Sequence, residues 1–169
     1  MIRKLTALSL LLVLLVFKVQ AQATINGQAY AEVIAAITAF ENNQMSFGRF
    51  SPEIAGGQIV LTPEGARLVE GSVILGGGIA QPGKFIITGQ PDATYSIQLP
   101  TGPALLVNSS NNTMIVDNWV SNPPAGNGTG ILVGGSETVS IGATLTIGSL
   151  DDNPVGVYTG TYSLTFAYN

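Results

Sequence analysis

Residues 156–169 read GVYTGTYSLTFAYN, with Tyr162, Leu164, Phe166 and Tyr168 alternating with Ser163, Thr165 and Ala167. A period of two over this length predicts a strand with one buried face. The cleanest alternation lies at residues 138–147, where Val139, Ile141, Ala143, Leu145 and Ile147 face away from small polar neighbours. Between Gly, Pro and Asn punctuation, further strands are expected at residues 58–62, after Gly56-Gly57, and at Arg67–Leu75, before Gly76-Gly77-Gly78. Residues 84–88 and 94–99 flank Gly89-Gln90-Pro91-Asp92, a hairpin or tight connection. Ala104–Val107 is short, and residues 113–120 turn Met114, Val116 and Trp119 toward the core. The Pro- and Gly-rich residues 121–130 predict a loop, and residues 149–155 the last turn.

The segment before these is ambiguous. Val33, Ile34, Ile37 and Phe40 would line one face of a helix. Ala29, Ala31, Val33, Ala35, Ile37 and Ala39 also alternate with Tyr30, Glu32, Ile34, Ala36 and Thr38. No clear helix N-cap precedes them, which favours a strand. Glu41-Asn42-Asn43 then reads as a turn and residues 44–50 as a second strand. The total, about eight or nine short strands with turn signals every 8–12 residues or so, predicts an all-β, immunoglobulin-like Greek-key β-sandwich.

The first residues are expected to lie outside that fold. Arg3 and Lys4 precede a nearly continuous apolar run from Leu5 to Phe17, followed by small residues. This is the layout of a secretory signal peptide over residues 1–21, cut after Ala21 or Ala23. The run falls short of the roughly 20 residues that span a bilayer. The expected product is an exported single domain, residues 22–169, bound for the periplasm, the cell surface or the medium.

Composition narrows the chemistry. Only 9% of the 169 residues are charged and 46% are hydrophobic, which is not the balance of a disordered chain. Without the leader, Arg49, Arg67 and Lys84 stand against ten acids, a net charge of −7. Such a domain has no electrostatic footprint for nucleic acid or anionic lipid. There is no Cys, so the fold depends on packing without disulfides, and no His, which removes the commonest general base and metal ligand. The acids Glu32, Glu41, Glu53 and Glu64 are not marked as a facing pair, and Asp151-Asp152-Asn153 lacks the spacing of a calcium loop. No catalytic, cofactor or metal site is expected.

Two resemblances bear on function. Met45-Ser46-Phe47-Gly48, Ile59-Val60-Leu61-Thr62-Pro63-Glu64-Gly65, Phe85-Ile86-Ile87-Thr88-Gly89, Tyr95-Ser96-Ile97-Gln98-Leu99-Pro100, Ile141-Gly142-Ala143-Thr144-Leu145 and residues 158–168 resemble a family of small secreted bacterial domains catalogued as domain of unknown function 4402. That family implies no settled activity. Tyr168, penultimate, and Gly156, fourteenth from the end, also resemble the closing strand of chaperone–usher fimbrial subunits. The small-residue alternation from Thr24 to Ile37 resembles their N-terminal segment. That resemblance implies a sandwich short of one strand, completed by a periplasmic chaperone and then by a neighbouring copy through strand addition. Ile25, Gln28, Ala29 and Ala31 would belong to the donor strand. Tyr158, Tyr162, Leu164, Phe166 and Tyr168 would border the acceptor groove.

The expectation is therefore an exported structural subunit of a fimbria-like surface fibre, with copies of itself, a chaperone and an usher as partners. The alternative is a self-complete secreted module binding surface glycan or matrix, with an aromatic platform around Trp119 and the 121–130 loop.

Overall fold

The computed structural model describes residues 21–169, and the expected leader lies, but for Ala21, outside them. The chain divides into two compact units, Met1–Val33 and Ile34–Asn169. In the first unit, residues 21–33 form neither strand nor helix and are exposed throughout. The strand expected from Thr24 onward is therefore absent, and regular pairing begins at Thr38. The alternation there is carried mainly by alanine, and one methyl group per position gives too little burial to fix a strand face.

The second unit is all-β. Its strands are β1 (Thr38–Asn43), β2 (Ser46–Phe47), β3 (Phe50–Leu61), β4 (Arg67–Leu75), β5 (Ala80–Gln81) and β6 (Gly83–Thr88). There follow β7 (Thr94–Gln98), β8 (Ala104–Val107), β9 (Thr113–Asn122), β10 (Gly126–Ile131), β11 (Ser136–Ile147) and β12 (Thr165–Tyr168). Seven strands form one sheet in the order β1-β6-β11-β3-β4, with β9 on the other edge of β11 and β8 beyond β9. A three-stranded sheet runs β10-β7-β12, and β2 pairs β5.

β11 is the spine. β6 and then β3 pair along one of its edges, and β9 pairs along the other. Its alternating Val139, Ile141, Ala143, Leu145 and Ile147 are all buried. They serve two core clusters in succession. Val139 and Ile141 join Ile87 of the large sheet and Tyr95 and Ile97 of the small one, so the two sheets pack face to face as in a sandwich. Ala143, Leu145 and Ile147 join Ile59, Leu61, Met114 and Val116, all from the large sheet, with Phe47 of β2.

Several boundaries depart from expectation, among them the expected strand 44–50, which is split between β2 and the start of β3. β1 runs through Glu41-Asn42-Asn43, read above as a turn, because β6 pairs with it there. β3 continues through Gly56-Gly57 because a bulge sets Glu53 to Gly56 opposite Ser72 alone, and pairing resumes at Gly57. β10 lies inside the expected 121–130 loop. There Gly130 has no side chain, and the Tyr95 ring fills the place where a Cβ would stand. Gly89 to Asp92, read as a hairpin or tight connection, is the connection: it leads from one sheet to the other.

A polar tie joins the small sheet to β11 of the large one. Glu137 Oε2 accepts hydrogen bonds from the Tyr95 hydroxyl at 2.7 Å and the Ile131 amide at 2.9 Å. Burial first, then this hydrogen bond and the Glu137 charge, hold the Tyr95 phenol above its ordinary pKa.

Leu145 is 1% exposed and pairs with Ile59 on one side and Val116 on the other. Leu145→Ala is expected to lower unfolding free energy by about 2–5 kcal/mol, read from the urea midpoint at unchanged slope.

Candidate functional site

The C-terminal segment changes partners along its length. At Thr159 it meets the free edge of β8: Val107 N–H donates to Thr159 C=O at 2.8 Å, and Thr159 N–H to Val107 C=O at 3.1 Å. Gly160 fits there because a side chain would strike the Leu105 carbonyl oxygen. From Thr165 the chain pairs with β7. Successive residues of an extended chain turn their N–H and C=O groups to opposite sides. Thr159 faces β8, so Tyr158 and Gly160 face away from it. Among the described residues their backbone groups have no backbone partner.

Beside this segment lies a groove of about 810 Å³. Its floor is the large-sheet face, represented by Met114, Val116 and Leu145 with Leu106 and Ala104. One wall is the segment from Asn153 to Tyr162, and the other is residues 44–52. This places the groove over the core cluster that the small sheet does not reach.

The wall at residues 44–52 is held by Arg67. Its guanidinium donates to the carbonyls of Phe47 at 2.9 Å, Arg49 at 3.3 Å and Gly76 at 3.1 Å. The opposite wall is held at its start by Asn153. This buried side chain accepts from Gly148 N–H at 2.6 Å and donates to Thr113 C=O at 2.8 Å. The Asp151-Asp152-Asn153 turn is thus committed internally, with Asp152 accepting from the Ser149 hydroxyl at 2.7 Å. That bond holds the Asp152 carboxyl below its ordinary pKa.

The two ends of the groove differ. At one, Tyr162 stacks on Trp119 with centroids 4.8 Å apart and meets Phe85 edge-on at 6.2 Å. Trp119 Nε1–H donates to Gly102 C=O at 3.1 Å. The Tyr162 hydroxyl is buried and has no hydrogen-bond partner among the described residues. Burial, with the Glu41 charge adding to it, raises its pKa above the ordinary phenol value. At the other end, Val155 and Val157 are 94% and 80% exposed.

Of the residues expected to border an acceptor groove, Tyr158 and Tyr162 line it. Leu164, Phe166 and Tyr168 lie beyond it, packed on the second core cluster. Only Thr165–Tyr168 of the expected closing strand forms a ladder. The Tyr168 hydroxyl donates to Ala35 C=O at 2.9 Å and accepts from Gln90 N–H at 2.6 Å. The expected donor residues Ile25, Gln28, Ala29 and Ala31 are exposed and outside any strand, Ile25 at 93%. Sequence reasoning missed the wall at residues 44–52. Residues 44–50 read as one strand, whereas only Ser46–Phe47 and, from Phe50, β3 pair, and alternation does not place this stretch along a groove.

The chain belongs to the family described as domain of unknown function (DUF4402), which it matches over residues 37–168. No curated protein and no solved structure matches it, so no relative links it to fimbrial subunits.

A buried hydroxyl without a partner costs stability, about 1–3 kcal/mol. Tyr162→Phe is therefore expected to leave the fold as stable or to stabilise it by about 1 kcal/mol, read from thermal and urea unfolding.

Proposed function

We propose that this chain is an exported, non-catalytic structural subunit of a surface fibre, built by donation of a strand from one copy into the groove of the next. The observation that carries the reading is the groove itself: an apolar sheet face flanked by a segment whose Tyr158 and Gly160 backbone groups have no backbone partner among the described residues. A sheet edge of this kind is a template for another strand. A strand donor needs an extended, unpaired, alternating segment of matching length. Residues 24–31 give eight positions against ten in the wall from Asn153 to Tyr162, and Ile25, Ala29 and Ala31 share one face. A chaperone that holds the same edge before assembly is part of the proposal.

The alternative, a self-complete module for surface glycan or matrix, requires a free aromatic platform. Tyr162 covers one face of Trp119, and its N–H is bound to Gly102. The fibre reading is therefore preferred.

The test uses residues 22–169 carrying Ile25→Asp and Ala29→Asp, so that the chain can only accept. A peptide of residues 22–33 is expected to bind it and, at a hundredfold excess over its Kd, to raise unfolding free energy by about 2.7 kcal/mol. The peptide bearing Ile25→Asp should give no shift. The unsubstituted chain should form polymers that the acceptor-only variant does not. A stable monomer with residues 24–31 paired in its own sheet would sink the reading.

A further inference from the structure

The donor-strand reading concerns the groove alone, but the exposed apolar side chains continue past it. Leu150 and Val155 line the groove at its open end and are 48% and 94% exposed. Beside them stands the β3 bulge, where Gly56 is pressed against the Ile147 carbonyl and Gly148. Within that bulge Ile54, two residues past the groove-lining Pro52, is 96% exposed. These residues form an apolar rim around the mouth of the groove.

A second apolar spot lies where the chain enters the domain. Ala35 is held there, its N–H by the Gln90 side chain at 3.3 Å and its carbonyl by Tyr168. The Gly89 to Asp92 loop is braced by the turn at Val133–Gly135, through Gly89 N–H to Gly135 C=O at 3.1 Å and Asp92 N–H to Leu132 C=O at 2.7 Å. At this pole Val133 is 73% exposed and Ile34 is 47% exposed.

Chain length brings the two spots together. The Tyr162 end of the groove is stopped by Trp119 and Phe85, so a donor strand whose own domain follows it must leave by the open end. Only Glu32 and Val33 separate Ala31 from Ile34, three steps of about 3.3 Å each. The donor's folded unit would therefore begin within about 10 Å of the last residue in the groove.

We propose that the rim formed by Ile54, Leu150, Val155 and Val157 is a body-to-body docking surface, and that its occupant is the Ile34 and Val133 pole of a second copy of this chain. The inference rests on the donor-strand reading and adds a second contact to it. Rim and pole are different patches, so the contact is heterologous and repeats head to tail into an open fibre. Each apolar side chain it covers is one that the isolated unit leaves in water.

The test compares strand binding with elongation in residues 22–169. Ile54→Glu and Val133→Glu place charges on exposed positions, so the fold is expected to persist, as checked by circular dichroism. Ile54→Glu on the acceptor-only background should bind the 22–33 peptide within twofold of the unsubstituted acceptor. Each substitution in the full donor-competent chain should slow polymer growth, read by light scattering, at least tenfold. A mixture of Ile54→Glu and Val133→Lys chains should elongate faster than either alone, because the opposed charges meet at every second junction. Unaltered growth of Ile54→Glu and Val133→Glu chains, with peptide binding intact, would overturn the docking surface and leave the donor-strand reading standing. A mixture no faster than its parts would also overturn it. Failure of the peptide to bind would overturn both.

Discussion

The mismatch between the two layers governs this molecule. β11 presents five consecutive inward side chains, from Val139 to Ile147, as one apolar stripe across the large sheet. The three-stranded sheet covers the first two, through Tyr95 and Ile97. The last three fall under segments that pair only locally, residues 44–52 and 153–162. An apolar sheet face is stable only when another layer removes it from water. A seven-stranded sheet facing a three-stranded one has more such face than its partner can cover; beyond the small sheet the segments at 44–52 and 153–162 bury the stripe instead, and the groove lies between them.

The C-terminal segment is the consequence. It cannot pair with β7 along its whole length, because β7 has only five residues, Thr94–Gln98. The upstream part crosses instead to β8 and makes a single bridge at Thr159. Within one run of alternating residues, Tyr158 therefore packs on one core cluster and Tyr162 to Tyr168 on the other. The residues around the crossing keep strand-like alternation without a strand's partners, and this leaves Tyr158 and Gly160 with backbone groups to offer.

This also explains what the sequence could and could not disclose. The all-β class, Arg67–Leu75 and Ala104–Val107 were readable to the residue, since alternation and turn signals agree there. The stripe of β11 was readable because all five large or small apolar residues face one way. β10 was not: Gly126 to Gly130 has loop composition, and it is an edge strand through its pairing with β7 at Gly126, Gly130 and Ile131, with the Tyr95 ring beneath Gly130. The groove was half legible. Tyr158 and Tyr162 stood out as apolar positions needing cover, but alternation does not tell which sheet a residue serves. Leu164, Phe166 and Tyr168 carry the same signal and go to the closed half. Residues 44–50 read as one strand, but β2 pairs for two residues only, and the position of the 44–52 wall depends on Arg67, twenty residues away from Phe47 in sequence.

Charge sets the character of any association at this surface. Residues 22–169 carry −7 with three cations, and one of those, Arg67, is spent on backbone carbonyls inside the fold. Copies therefore repel one another at long range, which opposes indiscriminate clumping of the exposed Ile54, Val155 and Val157. Attraction must then be short-ranged, through apolar burial and backbone hydrogen bonds, and it rewards only an orientation that fills the groove and covers its rim together. A single strand in the groove would leave the rim wet, and a rim contact without the strand would leave the edge at Tyr158 and Gly160 unsatisfied. The two requirements are met by one partner only if its extended segment and its folded unit are separated by very little chain, which is the spacing that Glu32 and Val33 provide.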